Sequence, residues 1–281
     1  MIVCAVAPAM ISTTRFHSRL FALTLAFTDT GDSVAQGEPL IILHGLFGSS
    51  RNWASIAKLL SNQRRVLTVD LPNHGASYWT EMVSYEKMAE ATAGFIVEKN
   101  LQGSALFGHS MGGKTAMTLA LTKPDLIGKL IIADIAPVSY DHDNLAVISA
   151  LCSVDLNAVK TRNDAEALLA ETIPDRMMRG FLLQNLVRNG DHYEWRINLE
   201  GLKVGLPNLQ GFTVHPDEAC FKGPSLFVAG AKSDYIELEH HEEINRLFPN
   251  SSLVDIANAG HWLHADNPGA FVLAVREFLA A

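Results

Sequence analysis

The sequence predicts an α/β fold in which a doubly wound, mostly parallel sheet carries an inserted helical cap. Short apolar runs alternate with helical patterns along most of the 281 residues, which is the order of a parallel sheet covered by helices. One interval between two apolar runs, from Asp134 to Ser225, is about ninety residues long and exceeds any ordinary crossover. In addition, a Gly-x-Ser-x-Gly turn at 108–112 joins an apolar run to a helical segment.

The predicted strands are of two kinds. Residues 21–27 alternate apolar with smaller or polar side chains, as a half-buried strand does, and 29–37 have the Gly, Asp and Ser content of a turn. The other strands are continuously apolar, which is typical of strands buried on both faces. These are residues 40–43, 66–69, 105–107, 130–133, 225–229 and 253–256.

Helical patterns fill most of the intervals between the strands. They cover residues 52–60, 85–98, 114–121, 238–248 and 268–279, with 164–171 and 175–187 as the clearest helices of the long interval. We therefore predict a core of residues 19–136 and 222–281 and a helical cap of residues 137–221. Residues 1–11 are apolar like a secretory signal, but the positive charges follow them, so residues 1–18 are expected to be an unstructured or loosely docked extension.

The composition of the chain limits which binding partners and which cellular compartment can be expected. The net charge of −8 argues against nucleic acid and anionic membrane surfaces, and no run reaches the roughly 20 apolar residues of a membrane span. The cysteines Cys4, Cys152 and Cys220 are odd in number and far apart, which fits neither a disulfide framework nor a zinc site. A reducing cytoplasm is the expected location.

The turn at 108–112 places Ser110 where a strand meets a helix, which is the context of a nucleophile elbow. Gly108 and Gly112 are needed because a Cβ at either position would strike the neighbouring backbone. The strained turn presents the Ser110 hydroxyl above the sheet and leaves the N–H of Met111 facing the reacting carbon. Ser110 is thus the predicted nucleophile.

A second backbone donor is expected from the segment 44–48, which follows the strand 40–43. Gly45 and Gly48 let the backbone curl over the site, so that the N–H of Leu46 joins that of Met111 on a developing oxyanion. Each such donor contributes about 3 kcal/mol in the transition state. The turn at 70–77 is predicted to shape the rim, and Lys114 to orient its neighbours.

The predicted general base is His261, which lies with Gly260 in the loop after the strand 253–256. Of the 11 histidines, only His264 is a near rival by position. His240 and His241 resemble a metal pair with the following glutamates, but adjacent helical positions do not face one site, so no metal site is predicted.

Two aspartates compete for the role of the acid that orients the histidine. Asp134 ends the strand 130–133, and Asp234 follows the strand 225–229. The commoner architecture places the acid three residues beyond a glycine in the second of these loops, but three residues beyond Gly230 is Ser233. Because a misplaced carboxylate cannot hold the imidazole tautomer, we favour Asp134 over Asp234.

Several aromatic residues are candidates for a substrate pocket, although aromatic side chains more often pack in the core. The candidates are Phe47, Tyr140, Trp195, Phe212 and Trp262.

In these motifs the chain resembles the α/β-hydrolases, and specifically the small YbfF-type bacterial esterases. The matching segments are HGLFGS at 44–49, DLPNHG at 70–75, GHSMGGK at 108–114, DIAP at 134–137, WRINL at 195–199 and GHW at 260–262. The resemblance implies an α/β-hydrolase fold and a serine esterase that acts on small acyl esters or thioesters without a cofactor. It also implies that a serine, here Ser233, occupies the usual acid position while Asp134 bears the acid role; the adjacent Asp234 is a departure from that pattern.

Other chemistries of the same fold remain alternatives. Thioester and carbon–carbon bond hydrolysis use the same triad, and a slow-turnover ligand-binding receptor would keep the pocket. Dehalogenase or epoxide-opening chemistry would need an aspartate where Ser110 stands. The leading hypothesis is hydrolysis of small carboxylic esters with short to medium acyl chains through an acyl-enzyme on Ser110.

Overall fold

The computed structural model describes residues 24–31, 37–140, 144–212 and 219–281. The predicted extension 1–18 therefore lies outside the described residues, as do the first residues of the strand predicted at 21–27. The strands are β1 Phe27–Thr30, β2 Gly37–Leu43, β3 Arg64–Val69, β4 Ser104–His109, β5 Ile127–Ala133, β6 Leu186–Asn189, β7 His192–Trp195, β8 Ser225–Gly230 and β9 Ser251–Ile256.

The central sheet has seven strands in the order β1-β3-β2-β4-β5-β8-β9. All neighbours are parallel except the edge strand β1, which pairs antiparallel with β3. β1 lies at one edge, and β3 lies between β1 and β2. From β2 the chain adds β4, β5, β8 and β9 in turn toward the opposite edge, as in a doubly wound sheet. The predicted fold class is confirmed.

Helices flank the sheet on both faces. They are α1 Ala54–Leu60, α2 Tyr85–Glu98, α3 Met111–Thr122, α4 Asn144–Cys152, α5 Arg162–Leu169, α6 Arg176–Leu182, α7 Leu199–Gly205, α8 Pro207–Gln210, α9 His241–Leu247, α10 Leu263–Asp266 and α11 Pro268–Ala280. Among the described residues, no helix has the length and apolar character needed to cross a membrane.

The two faces of the sheet bury separate apolar clusters. In β2, Ile41 and Leu43 join the cluster beneath α2 and α3, whereas Leu40 and Ile42 join the cluster beneath α1 and α11. Successive side chains of a strand point to opposite faces, so a strand buried on both faces must be continuously apolar. This is the physical reason that the central strands could be read from runs of apolar residues.

The first strand differs from the prediction. It covers Phe27–Thr30, so Asp29 lies in a strand and not in a turn. Asp29 faces solvent at the sheet edge and forms an ion pair of 2.6 Å with Arg65 of β3. An edge strand that is exposed on one side can carry such a polar pair. Its residues then do not show the apolar alternation from which a strand is predicted.

The inserted segment between β5 and β8 also differs from the prediction in part. The helix predicted at 175–187 ends at Leu182, a 3₁₀ turn follows over Leu183–Asn185, and β6 and β7 then form an antiparallel hairpin. Gly190 turns the hairpin at a φ of 59°. Gly190 and Asp191 are the two residues between the paired Asn189 and His192, and a glycine in the first of these positions favours a two-residue hairpin turn, which outweighs the helical pattern of the apolar residues before it.

The insert is tied to the core by hydrogen bonds from its polar side chains. The Asn185 amide donates to the carbonyl of Phe47 at 2.7 Å, and the Asn208 amide donates to the carbonyl of Val83 at 3.0 Å. The hydroxyl of Tyr85 donates in the opposite direction, to the carbonyl of Leu209 at 2.7 Å. These bonds hold the insert over the carboxyl ends of the strands.

Candidate active site

Ser110 lies between β4 and α3 in a strained backbone conformation, with φ 53° and ψ −118°. The tight turn requires its two glycines: a Cβ on Gly108 would lie 2.2 Å from the carbonyl oxygen of Gly112, and one on Gly112 would lie 2.5 Å from that of Leu43. A non-glycine residue held at positive φ in such a turn is typical of a functional site. The Ser110 side chain is partly exposed to a cleft beneath the insert.

His261 and Asp134 meet at the same edge of the sheet. Nδ1 of His261 lies 2.8 Å from Oδ2 of Asp134, whose side chain is fully buried. A carboxylate only accepts, so Nδ1 carries the proton and Nε2 is left as an acceptor. The backbone N–H of Gly230 and the hydroxyl of Ser233 also donate to Asp134, at 2.8 and 2.5 Å.

The other candidate acid lies elsewhere. Asp234 is exposed, and in the described part of the chain its carboxylate makes no hydrogen bond to His261. Its neighbour Ser233 donates its hydroxyl to Asp134. The structure therefore brings Asp134, and not Asp234, to His261.

Other aromatic and histidine rings enclose His261. Tyr235 stacks on it with ring centroids 3.9 Å apart, and Nε2 of His109 lies 2.8 Å from its backbone oxygen. Burial, followed by the nearby His261 and His264, holds the pKa of His109 well below its usual value. Burial, together with His261, lowers the pKa of His264 to about 4, and its ring stacks on Trp53 at 4.1 Å. His264 is therefore a neutral packing residue, and it does not contact Asp134.

Leu46 and Met111, whose N–H groups were predicted to serve an oxyanion, lie beside Ser110. Both residues line the cleft beside Ser110, and neither N–H donates to an acceptor within the described ranges. The turn that carries Leu46 is closed by a bond of 2.9 Å from the N–H of Gly48 to the oxygen of Gly45. Backbone N–H groups without a protein acceptor are available as the donors that an oxyanion requires.

Two buried histidines hold the backbone beside these donors. Nε2 of His44 accepts from the N–H of Leu71 at 3.0 Å, and Nε2 of His74 accepts from the N–H of Phe47 at 3.3 Å. Burial lowers the pKa of His44 and, with His44 nearby, lowers that of His74 to about 3. Both rings are thus neutral at pH 7, as an acceptor nitrogen requires.

Asp70 explains why the predicted rim turn is so tight. Its carboxylate accepts from the N–H groups of Ser50 and Ala76, at 2.6 and 2.8 Å. Gly75 packs against this carboxylate, where a Cβ would lie 2.2 Å from Oδ2. The turn therefore connects the oxyanion segment to the rim and does not itself contact the reacting atoms.

The cleft has two chambers that meet at Ser110. The larger, of about 640 Å³ up to its open mouth, is lined by His261 and by apolar side chains that include Phe47, Phe181 and Trp262. The smaller, of about 440 Å³, is lined by residues of α2, α3 and the insert. Leu46, Ser110, Asn144 and Tyr235 line both chambers.

The predicted pocket aromatics divide between the cleft and the core. Phe47 and Trp262 line the larger chamber and Tyr140 the smaller, whereas Trp195 and Phe212 line neither. Trp195 and Phe212 instead pack, partly buried, against the core cluster. Trp195 ends the hairpin strand β7.

Sequence reasoning did not identify Tyr235, Phe181 and Asn144 as lining residues. Tyr235 could have been found, because it lies in the loop after a central parallel strand, where ligand-binding residues concentrate. Phe181 and Asn144 belong to helices of the insert, whose position over the sheet has no signal in a single sequence. In the described part of the chain, no group of three or more His, Cys, Asp or Glu residues is arranged to hold a metal.

Comparison with known proteins yields related sequences and structures. Residues 38–268 match the family model of the alpha/beta hydrolase fold. The chain is 40% identical over 249 residues to the sn-1-specific diacylglycerol lipase ABHD11 of Mus musculus, covering 86% of this chain and 80% of that protein. It is 32% identical over 253 residues to the esterase YbfF of Escherichia coli (strain K12), covering 89% of this chain and 96% of that protein. A solved structure of a marine microorganism esterase superposes with a TM-score of 0.87 at 41% identity and covers 92% of this chain and 100% of that one.

Proposed function

The chain belongs to the α/β-hydrolase family and is a carboxylic ester hydrolase, and we propose that it is a serine esterase acting through an acyl-enzyme on Ser110. The observation that carries this proposal is the bond of 2.8 Å between His261 Nδ1 and the buried Asp134, at the strand edge where the elbow presents Ser110. Nucleophile, base and acid are the groups that acyl transfer requires.

In the proposed mechanism, Nε2 of His261 takes the Ser110 proton as Oγ attacks the ester carbonyl. The resulting oxyanion accepts hydrogen bonds from the N–H groups of Leu46 and Met111, and Asp134 stabilises the imidazolium. The carbon–oxygen bond to the leaving group breaks, and His261 returns the proton to the alkoxide. Water, deprotonated by His261, then attacks the acyl carbon, the bond from that carbon to Ser110 Oγ breaks, and Oγ takes the proton back from His261 as the carboxylic acid leaves.

The proton that His261 gives to the leaving group indicates which portion of the ester lies in each chamber. His261 must reach the leaving oxygen, and it lines the larger chamber but not the smaller one. The alcohol portion therefore lies in the larger chamber, and the acyl portion lies in the smaller chamber beside Met111. Measured to their open mouths, this chamber has about 440 Å³ against about 640 Å³ for the other, and the smaller space supports a preference for short to medium acyl chains.

Residues 137–221 are proposed to act as a cap that closes both chambers. Phe181 of the insert lies 5.5 Å from the ring of Trp262, across the mouth of the larger chamber, and Leu209 lines the smaller one. The core in this assignment is 19–136 and 222–281. The cytoplasm is the proposed location, in keeping with the free thiols of Cys152 and Cys220.

Hydrolysis of p-nitrophenyl esters from acetate to palmitate tests the proposed function. Wild type should turn over the short esters fastest, and Ser110→Ala should lose this activity. Ser252→Ala, which changes an exposed serine of β9, is the matched control and should retain it. Turnover that survives in Ser110→Ala, or no turnover by wild type, would contradict the proposal and favour carbon–carbon hydrolysis or a receptor role.

A further inference from the structure

Lys114 lies in an unusual place for a lysine. It belongs to the first turn of α3, one helical turn after Ser110, and its side chain is only 2% exposed. Lysine is almost never fully buried unless it is paired. Of the described residues that line the smaller chamber, Lys114 is the only one with a charged side chain.

Within the described ranges, the contacts of Lys114 leave its charge without an anion. Nζ donates to the carbonyl oxygens of Gln210 and Gly211, at 3.3 and 3.1 Å, and lies 4.8 Å from the ring centre of Tyr140. Among the residues that the structure describes, no carboxylate forms a salt bridge with it. Burial alone lowers its pKa to about 7, whereas a carboxylate neighbour would raise it.

The two tyrosine hydroxyls nearest to Lys114 are already bonded to the protein. The Tyr85 hydroxyl donates to the carbonyl of Leu209 at 2.7 Å. The Tyr140 hydroxyl accepts from the N–H of Ala136 at 2.8 Å and donates to the carbonyl of Tyr235. An ammonium group has three N–H donors, and two of those of Lys114 are directed to carbonyl oxygens, so one donor and the positive charge are available to a ligand.

Building on the proposed serine esterase function, we propose that the smaller chamber binds an acyl group that ends in a carboxylate, with the Lys114 ammonium as its counter-ion. The substrates are then monoesters of short dicarboxylic acids. Ser110 directly precedes α3, Lys114 lies in the first turn of that helix, and both line the smaller chamber, so one rigid element sets the spacing between the ester carbonyl and the carboxylate. The substrate carboxylate accepts a charge-assisted hydrogen bond from Nζ and supplies the counter-ion that no described residue provides.

The test compares two series of ethyl esters with the full-length protein. One series is the monoethyl esters of succinic, glutaric, adipic and suberic acid. The other has the same chain lengths but ends in an isopropyl group, which has the shape of a carboxylate without its charge. Wild type should show a higher kcat/KM for the anionic ester at the best length, and Lys114→Met should lower the anionic-to-neutral ratio about 30-fold, the size of one charge-assisted hydrogen bond.

Lys129→Met is the matched control. Lys129 also donates to a backbone carbonyl, that of Leu279 at 3.3 Å, and lies 6.0 Å from the ring of Phe278, but it does not line the cleft. Its variant should keep the wild-type ratio at every length. The comparison within wild type needs no variant, so a poorly folded Lys114→Met would not prevent a result.

Three outcomes would overturn the inference. Wild type could prefer the isopropyl ester at every length, which would contradict an anion site even though the esterase function stands. Lys114→Met could lower both series equally, which would make Lys114 a group that only holds the insert in place. Failure of wild type to hydrolyse any of these esters or p-nitrophenyl acetate would remove the esterase function together with the inference.

Discussion

The loops after β5 and β8 each carry an aspartate at the carboxyl edge of the sheet, yet they have different environments. Asp134, after β5, is fully buried, has a φ of 51° and contacts His261. Asp234, after β8, is exposed. The loop after β8 instead contributes donors, since the N–H of Gly230 and the hydroxyl of Ser233 both point to Asp134.

The difference shows that one strand can supply the carboxylate while its neighbour supplies the groups that fix it. A buried carboxylate needs hydrogen-bond donors, and those donors must come from a rigid neighbouring element. The two loops therefore form one unit that orients His261. Four variants test this division of roles, from the largest expected effect to the smallest.

Asp134→Asn should have the largest effect on catalysis. The asparagine amide can donate to Nδ1, which favours the wrong imidazole tautomer, so kcat should fall about a thousand- to ten-thousandfold. The measurement is kcat with p-nitrophenyl acetate, with thermal unfolding as a check on folding. A loss of less than tenfold would show that another group orients the histidine.

Gly230→Ala should reduce activity less than Asp134→Asn does. Its Cβ would lie 2.3 Å from the carbonyl oxygen of Gly260 and 2.9 Å from that of Ala259, so the loop that carries His261 must shift. A misplacement of about 1 Å in such a site costs about a hundredfold in kcat. Gly269→Ala, where a Cβ meets nothing within 4 Å, is the control and should behave as wild type.

Ser233→Ala should have a moderate effect that falls on kcat and not on KM. It removes the hydroxyl that donates to Asp134 at 2.5 Å, while the N–H of Gly230 remains. The loss of one hydrogen bond to a charged group predicts a fall in kcat of about tenfold. Steady-state kinetics separate the two parameters, and an equal change in KM would indicate a general disturbance of the cleft.

Asp234→Asn should have the smallest effect. The carboxylate is exposed and contacts neither His261 nor Ser110 in the described structure, so kcat should stay within about twofold of wild type. A ratio of initial rates between Asp234→Asn and Asp134→Asn is sufficient to rank the two acids. A larger loss in Asp234→Asn than in Asp134→Asn would reverse their roles.

Much of the core and of the candidate site was predictable from local sequence. The central strands are apolar on both faces, as Ile41 and Ile42 illustrate, and the elbow glycines Gly108 and Gly112 are dictated by contacts within a few residues. The choice between Asp134 and Asp234 was harder, because a shift of one residue along a loop decides which carboxylate faces the histidine. The spacing along the sequence favours Asp134, but only the tertiary arrangement of the two loops shows which carboxylate contacts the histidine.

The insert was less predictable for a physical reason. Its short helices and the hairpin β6–β7 are stabilised by contacts with the core, such as Asn185 with Phe47, that are distant in sequence. Neither α4 nor α7 was predicted, and they pack mainly against each other. The position of Lys114 in the smaller chamber was equally hard to predict, because the carbonyl groups that it contacts, those of Gln210 and Gly211, come from the far end of the insert.

The most direct test of the central account is the rate at which an alkyl fluorophosphonate labels the protein, with the site located by peptide mass spectrometry. An activated serine reacts irreversibly with this reagent. The account predicts a single label on Ser110, no label in Ser110→Ala, much slower labelling in Asp134→Asn and an unchanged rate in Asp234→Asn. Labelling at another residue, or slow labelling in Asp234→Asn and not in Asp134→Asn, would contradict it.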